Sequence, residues 1–343
     1  MGDQVVTWDE ARVRDTVAAV VADAEAALEG CVWPAHPVDE VSPFDQLGLY
    51  FGAAGMIWSL RRLGSSHDLD ELAAAALARC RETPNLEDSA SLFFDGETAL
   101  LLLTRSDDER LRELIAGNAR NPSWELMLGS PGSILAARAV GFDAEARRSE
   151  EILVDEWERH DWRLWDHVLA GREFQMIGPA HGFAGNVHVL RGCVDDDSLR
   201  PRIERVLREH AVWDGDTVNW PPGPKSPPDR VQWCHGAPGI VATLGDLMPE
   251  DLLLAGAETT WRNGPLDKGP GLCHGTAGNG YALLKTYVVT GDEMWLERAR
   301  SFALAALGQL QNRYSLMTGD IGAALFAQAC IDVDSRFPIL DVL

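Results

Sequence analysis

Residues 272–278 read Leu-Cys-His-Gly-Thr-Ala-Gly, and the Gly-x-x-Gly that closes this stretch recurs along the whole chain. Its seven copies occupy residues 52–55, 96–99, 129–132, 182–185, 236–239, 275–278 and 319–322, and the second has alanine in place of its last glycine. The first glycines lie 44, 33, 53, 54, 39 and 44 residues apart, and each interval accommodates two helices with their connections. The repeat therefore predicts seven helical pairs.

Two kinds of helix alternate between these glycine turns. An almost uncharged apolar run follows each turn, which is typical of a buried helix. Amphipathic helices are predicted at 68–82, 149–160, 198–212 and 292–312, and over about 8–29, where Thr7 and Glu10 match a capping box. No segment alternates as a half-buried β-strand would. We predict an all-α fold, a toroid of seven helical hairpins, with the glycine turns at the starts of the inner helices.

The composition indicates a globular chain of 343 residues, which we interpret as one domain over residues 1–343 with its N-terminal helix packed on it. Acidic residues outnumber basic ones by 53 to 30, and the net charge of −23 would repel nucleic-acid phosphates and anionic lipid head groups. No apolar run reaches membrane-spanning length, and the first residues lack a signal-peptide pattern. We therefore predict a cytoplasmic protein with no nucleic-acid or membrane partner.

Residues 219–230 interrupt the helical rhythm because they contain five prolines. A helix cannot continue through such a segment, and this one leads directly into Trp233-Cys234-His235-Gly236. Two interpretations stay open, a wall of a functional site or a plain surface loop.

Three consecutive turns carry reactive side chains immediately before their first glycine. They are Ala180-His181-Gly182, Cys234-His235-Gly236 and Cys273-His274-Gly275. Taken singly, each cysteine is more typical of a buried core residue, but the shared position in the repeat favours a common site. If all inner helices begin at one end of the toroid, these side chains converge there. Cys234, Cys273 and one histidine could then hold Zn²⁺ and leave a fourth coordination position open.

The sequence around these turns resembles the lanthionine synthetase C-like family. The resemblance rests on 233–239 (Trp-Cys-His-Gly-Ala-Pro-Gly) and 271–279 (Gly-Leu-Cys-His-Gly-Thr-Ala-Gly-Asn), with support from 178–185 (Gly-Pro-Ala-His-Gly-Phe-Ala-Gly) and weaker support from 125–129 and 335–338. The family includes bacterial lanthipeptide cyclases and eukaryotic glutathione-binding relatives. Because His235 follows the first of the two cysteines, the chain is more similar to eukaryotic-type and stand-alone bacterial members than to dedicated lantibiotic cyclases.

The resemblance implies an (α/α)7 toroid that holds one Zn²⁺ ion through Cys234, Cys273 and His274. It also implies a reaction in which a thiol, from a peptide cysteine or from glutathione, adds to dehydroalanine or dehydrobutyrine and forms a thioether. A free thiol has a pKa of about 8.5 and is mostly protonated at neutral pH, so zinc would favour the nucleophilic thiolate. The implied partner is a peptide or protein that contains dehydroamino acids.

The addition also requires a proton for the α-carbon of the acceptor. The resemblance implies His181 as the catalytic acid/base, and His235 is our second candidate. The family has an acidic residue at the position of Glu125, which could orient His181 or keep its imidazole charged. Glu125 could equally be a carboxylate that interacts with a helix N-terminus.

A glutathione substrate would need cations for its carboxylates. Lys268, one of three lysines, lies in a lysine-glycine context similar to that of the family, and Arg313 precedes the last glycine turn. Both are also typical surface charges. Eukaryotic-type relatives have arginine where this chain has Ser130, so the contacts of an anionic group are expected to differ there. No segment resembles the peptide-docking extension of some lantibiotic cyclases, which disfavours the processing of a leader peptide.

Two other hypotheses stay open. The chain could hold zinc with a thiol ligand or a protein partner without catalysis, or the α/α barrel could serve another reaction. His181 favours catalysis because a binding protein needs no proton donor. The absence of paired carboxylates at the repeat starts disfavours a glycosidase.

Overall fold

A computed structural model of the chain describes residues 7–39, 45–82, 93–94, 96–169 and 171–343. Helices dominate these residues. They are α1 (Glu10–Ala26), α2 (Ala53–Arg62), α3 (Leu69–Arg81), α4 (Glu97–Thr104), α5 (Asp108–Asn118), α6 (Ser130–Ala139), α7 (Asp143–Arg159), α8 (Phe183–Leu190), α9 (Asp196–His210), α10 (Ala237–Leu244), α11 (Glu250–Asn263), α12 (Thr276–Thr290), α13 (Glu293–Leu307) and α14 (Asp320–Asp332).

The even-numbered helices form a closed inner ring. Each begins directly after the first glycine of a repeat, which is its N-cap residue. Consecutive even-numbered helices pack on each other, and α14 packs on α2. The odd-numbered helices lie outside this ring, and α1 packs on α14 and completes the seventh pair. The prediction of an all-α toroid of seven helical pairs is confirmed.

The inner helices begin at one end of the ring, which we call the glycine rim. The loops that lead into them are joined by backbone hydrogen bonds. These run from Leu49 N–H to Phe94 C=O (2.6 Å), from Cys234 N–H to Cys273 C=O (3.1 Å), from Cys273 N–H to Met317 C=O (2.8 Å) and from Met317 N–H to Tyr50 C=O (3.3 Å). The loops of the rim are therefore in direct contact with one another. This allows the reactive side chains that precede the glycines to converge at one end of the toroid.

The last glycine of each repeat has a packing reason. In six repeats, a Cβ added there would lie 1.7–2.5 Å from the carbonyl oxygen of the residue six positions earlier. The pairs are Gly55 with Leu49, Gly132 with Leu126, Gly185 with Pro179, Gly239 with Trp233, Gly278 with Leu272 and Gly322 with Leu316. The incoming loop thus lies directly against the first turn of its helix, and a side chain would force the two apart.

Several details differ from the sequence-based predictions. The capping box of Thr7 and Glu10 is wrong, because Asp9 is the N-cap of α1 and its side chain accepts a hydrogen bond from the Arg12 N–H (3.2 Å). The outer helices are found at all five predicted places, with shifted ends. Two short antiparallel hairpins were not predicted, β1 (His167–Leu169) with β2 (Arg172–Phe174) and β3 (Val212–Asp214) with β4 (Thr217–Asn219). Three residues are too few to show an alternating pattern.

The C-terminal tail, residues 335–343, closes the end of the ring opposite the glycine rim. It follows α14 and turns inward, so that Phe337, Ile339 and Leu340 are buried. The Asp341 carboxylate is paired with the imidazole Nε2 of His188, near the end of α8, at 3.0 Å. In the described part of the chain, no helix is long and apolar enough to cross a membrane.

Candidate metal centre

Cys234, Cys273 and His274 come together at the glycine rim. Their possible ligand atoms all lie within 4.8 Å of one another, and both cysteines are buried. The backbone hydrogen bond between Cys234 and Cys273 joins the loops of the fifth and sixth repeats directly. A Cβ at Gly178 would lie 2.3 Å from the Cys234 carbonyl oxygen, so the loop of the fourth repeat also lies against this pair.

Each of the two thiols shifts the pKa of the other. The hydrogen bond from Cys273, supported by His274, lowers the pKa of the Cys234 thiol although burial opposes this change. The same hydrogen bond and burial raise the pKa of Cys273. The Gln232 side-chain amide donates to Cys234 Sγ (3.0 Å) and further stabilises a negative sulfur. This arrangement of two sulfur atoms and one imidazole is a donor set suited to a thiophilic divalent metal ion.

His181 and Glu125 form a hydrogen-bonded pair beside the thiols. His181 Nδ1 lies 2.8 Å from Glu125 Oε2, and the buried carboxylate also accepts the backbone N–H groups of Met127 (3.0 Å) and Leu128 (2.7 Å). Burial alone would lower the pKa of His181, but the hydrogen bond and charge of Glu125, together with Cys234, raise it. Glu125 therefore orients the imidazole and favours its protonated form.

His235 lies next to His181 in a different electrostatic setting. The two ring centroids are 6.1 Å apart, and the planes are inclined by 26°. His235 is buried, and burial is the main cause that lowers its pKa, with the positive His181 acting in the same direction. Its Nδ1 has no hydrogen-bond partner among the described residues. The pair thus consists of one imidazole that favours the proton and one that disfavours it.

The two predicted cations occupy different situations. Lys268 is exposed, and its Nζ donates to the Gln232 side-chain oxygen (2.9 Å), which connects it to Cys234. Arg313 is buried and forms a two-point ion pair with Asp39, in which Nε lies 2.7 Å from Oδ2 and Nη2 contacts Oδ1. Lys268 therefore has its charge at the site, whereas the charge of Arg313 is already matched.

The proline-rich segment is not helical and borders the loop of His181. The Ile177 N–H donates to the Pro222 carbonyl (2.9 Å), and residues 223–226 line a cavity of about 460 Å³ together with Phe174 and Met176. Ser130 is fully buried, and its hydroxyl has no partner among the described residues.

Sequence reasoning missed two residues of this centre. Tyr50 interacts with the Cys273 thiol, and burial together with this interaction raises the pKa of Tyr50. Gln232 contacts Cys234. Both could have been found from the repeat: Tyr50 stands two residues before its glycine, as do Cys234 and Cys273. Gln232 stands four residues before its glycine, as does Glu125.

Comparisons with known proteins identify the family of the chain. The family model described as "Lanthionine synthetase C-like protein" matches residues 39–342. The chain is 39% identical over 173 residues to "Glutathione S-transferase LANCL1" of Danio rerio, which is 44% of this chain and 40% of that protein. It is 34% identical over 183 residues to "LanC-like protein GCL1" of Arabidopsis thaliana, covering 47% and 42% of the two chains. The matches thus span less than half of these relatives.

Among solved structures, "Nisin cyclase" superposes with a TM-score of 0.60 over 93% of this chain and 94% of the other, at 14% sequence identity. At this identity the similarity concerns the fold, and it agrees with the helical toroid described above.

Proposed function

The chain belongs to the lanthionine synthetase C-like family, and from this premise we propose that it catalyses the zinc-dependent addition of a thiol to dehydroalanine or dehydrobutyrine, which forms a thioether. The observation that carries the proposal is the convergence of Cys234, Cys273 and His274 beside the His181–Glu125 pair. The family relationship supports thioether-forming or glutathione-related chemistry in general, and these side chains point to the specific reaction.

The donor set fits Zn²⁺. Two cysteines and one histidine provide three ligands of a catalytic zinc site, in which the fourth position stays open. The lowered pKa of Cys234 and its hydrogen bond from Gln232 favour the anionic sulfur that a metal ligand must have. When bound, zinc would supply a Lewis-acidic position that lowers the pKa of an incoming thiol and orients its sulfur.

The protein's own side chains would manage the proton. As the thiolate sulfur bonds to the β-carbon of the acceptor, the electron pair of the carbon–carbon double bond moves toward the α-carbon and the adjacent carbonyl. His181, whose Nδ1 is engaged by Glu125, would deliver its proton from Nε2 to the α-carbon. The raised pKa of His181 keeps this proton available, whereas the lowered pKa of His235 makes it the weaker candidate.

We propose glutathione or a peptide cysteine as the thiol, and a dehydroamino-acid-containing peptide or protein as the acceptor. Similarity to a relative named as a glutathione S-transferase supports glutathione. Lys268 could bind one of its carboxylates, because the Lys268 ammonium is exposed and near Cys234 through Gln232. Arg313 could contribute only by exchanging Asp39 for the substrate. A cytoplasmic location would keep the thiols reduced.

The test compares wild type with Cys273→Ala and with Cys330→Ala, which removes a buried thiol elsewhere in the core. We expect about one zinc per chain in wild type and Cys330→Ala, and almost none in Cys273→Ala. The same samples are incubated with a dehydroalanine peptide, with and without glutathione, and thioether products are measured by mass spectrometry. Wild type without zinc would contradict the proposal. Zinc and glutathione binding without product formation would favour the non-catalytic alternative.

A further inference from the structure

Phe337 of the C-terminal tail packs against a residue that is adjacent in sequence to the candidate metal ligand Cys234. The Phe337 ring stacks on the ring of Trp233, with centroids 4.3 Å apart and planes inclined by 3°. Both side chains are almost completely buried in the middle of the toroid. Trp233 directly precedes Cys234. The stacked pair therefore connects the C-terminal tail to the candidate ligand cluster of Cys234, Cys273 and His274.

Phe337 also contacts the segment that carries the other two ligands. Its ring lies 5.1 Å from that of Tyr281, at an interplanar angle of 63°. Tyr281 belongs to α12, which begins two residues after His274. Tyr281 in turn packs on Phe326 of α14, with centroids 4.9 Å apart. One ring from the tail is therefore wedged between the two segments whose side chains form the cluster.

The Trp233 ring depends on this packing for its position. Its backbone is confined, since a Cβ at Gly239 would lie 1.8 Å from the Trp233 carbonyl oxygen. The indole nitrogen, in contrast, has no hydrogen-bond partner among the described residues. The ring is thus held by contact with its neighbours and not by a polar anchor, and Phe337 stacks on its flat face.

Hydrogen bonds within the tail, at the end of the helical toroid opposite the glycine rim, fix the backbone of Phe337. Asp341 accepts the Phe337 N–H through Oδ2 (2.6 Å), and its own N–H donates to the Phe337 carbonyl (2.9 Å). The other carboxylate oxygen, Oδ1, is paired with His188 Nε2 at 3.0 Å. This clamp, together with the pairing between Ile339 N–H and Val342 C=O (2.9 Å), fixes the backbone of the tail.

We propose that Phe337 is a positioning residue for the metal centre: it sets the separation between the Cys234 segment and the Cys273–His274 segment. The inference rests on the proposed metal site, because its main consequence is metal affinity. Residues that orient metal ligands without touching the metal typically change affinity about 10-fold to 100-fold when they are replaced. The ring acts through Trp233 and Tyr281 and makes no contact with substrate.

The experiment compares Phe337→Ala and Phe337→Leu with Leu340→Ala, which truncates a buried tail residue that lines a cavity with Leu135 and His188. Zinc dissociation constants are measured by chelator competition, and melting temperatures are recorded for every variant. In metal-free protein, the alkylation rate of Cys234 is measured by mass spectrometry. This last readout reports the position of the thiol without any metal.

We expect Phe337→Ala to weaken zinc binding about tenfold or more and to accelerate alkylation of Cys234 several-fold. Phe337→Leu, which keeps much of the apolar volume but not the flat stacking, should be intermediate and should still fold. Leu340→Ala should lower the melting temperature while both readouts stay at the wild-type level. Equal changes in Phe337→Ala and Leu340→Ala would overturn the inference. If wild type binds no zinc, the proposed function fails, and unchanged alkylation of Cys234 in Phe337→Leu and Phe337→Ala then overturns the positioning role as well.

Discussion

The turn of the second repeat and the turn of the fifth occupy equivalent places at the glycine rim, yet they differ in what they bind. In the second, Glu97 is the first residue of α4 and is 3% exposed. It accepts hydrogen bonds from Arg81 of α3 (2.6 Å) and Arg110 of α5 (3.2 Å), so it joins an inner helix to two outer ones. In the fifth, Cys234 takes the place that Phe94 occupies in the second, and it lies in the candidate metal-binding group with Cys273 and His274.

The helix N-termini also differ between repeats. The first turns of α4 and α14 contain Glu97 and Asp320, and a carboxylate there neutralises the positive end of its helix. The first turns of α2, α6, α8, α10 and α12 contain no acidic residue. In the fifth repeat the positive end of α10 is therefore left free to favour a negative sulfur at Cys234. The same kind of turn thus supports either packing or chemistry.

The largest expected effect comes from replacing His181, the proposed proton donor of the fourth repeat. We expect His181→Gln to lower kcat/KM for thioether formation about 10²- to 10⁴-fold, because general acid catalysis contributes that much. The zinc content should stay at the wild-type level, since His181 is not among the three proposed ligands. His235→Gln is the matched control and should lose much less activity, because its imidazole favours the neutral form.

The pH dependence of the same variants sharpens the assignment. Glu125 raises the pKa of His181, and the protonated form is the proposed donor. Activity of wild type should therefore be high below this pKa and fall as the pH rises through it. His181→Gln should abolish this falling limb, while His235→Gln should retain it. A falling limb that persists in His181→Gln and disappears in His235→Gln would reverse the two roles.

The comparison of repeats also explains how much could be predicted from the sequence. Glycine turns at a fixed position in every repeat predicted the ring, and the shared position of Cys234 and Cys273 predicted their convergence. The same rule would have identified Tyr50 and Gln232, had each turn been compared at every position. The rule does not extend to contacts with segments outside the repeats. Arg313 pairs with Asp39, which lies 274 residues away, and no local pattern indicates this.

The contacts of the C-terminal tail could not be predicted from the sequence either. Residues 335–338 indicated a family resemblance but no structural role, because Phe337 acts through the interior of the ring and contacts Trp233 about a hundred residues earlier. Hydrophobic periodicity reports which side of a helix is buried. It does not report which side chain fills the space that seven helices enclose.

A smaller effect is expected at the last glycine of the turn. Gly239→Ala would place a Cβ 1.8 Å from the Trp233 carbonyl oxygen and 2.7 Å from the Pro179 ring. Such overpacking lowers the free energy of unfolding by about 2 kcal/mol, and the displaced loop should also weaken zinc binding. Ala99→Gly, at the same position of the second repeat, should cost about 0.5–1 kcal/mol and leave zinc affinity unchanged. Urea unfolding and chelator competition measure both quantities. Equal zinc affinities in wild type and Gly239→Ala would show that the loop tolerates the shift.

The smallest effect concerns the ion pairs of the second repeat. Glu97→Gln keeps the shape of the side chain and removes its charge from between Arg81 and Arg110. Hydrogen bonds to charged groups are stronger than neutral ones, but both arginines are about 40% exposed, so solvent screens the loss. We expect the free energy of unfolding to fall by about 1 kcal/mol, less at high salt, with zinc content and thioether formation unchanged. If Glu97→Gln instead reduced zinc affinity, the two kinds of repeat would be coupled through the rim, and the division between packing and chemistry would not hold.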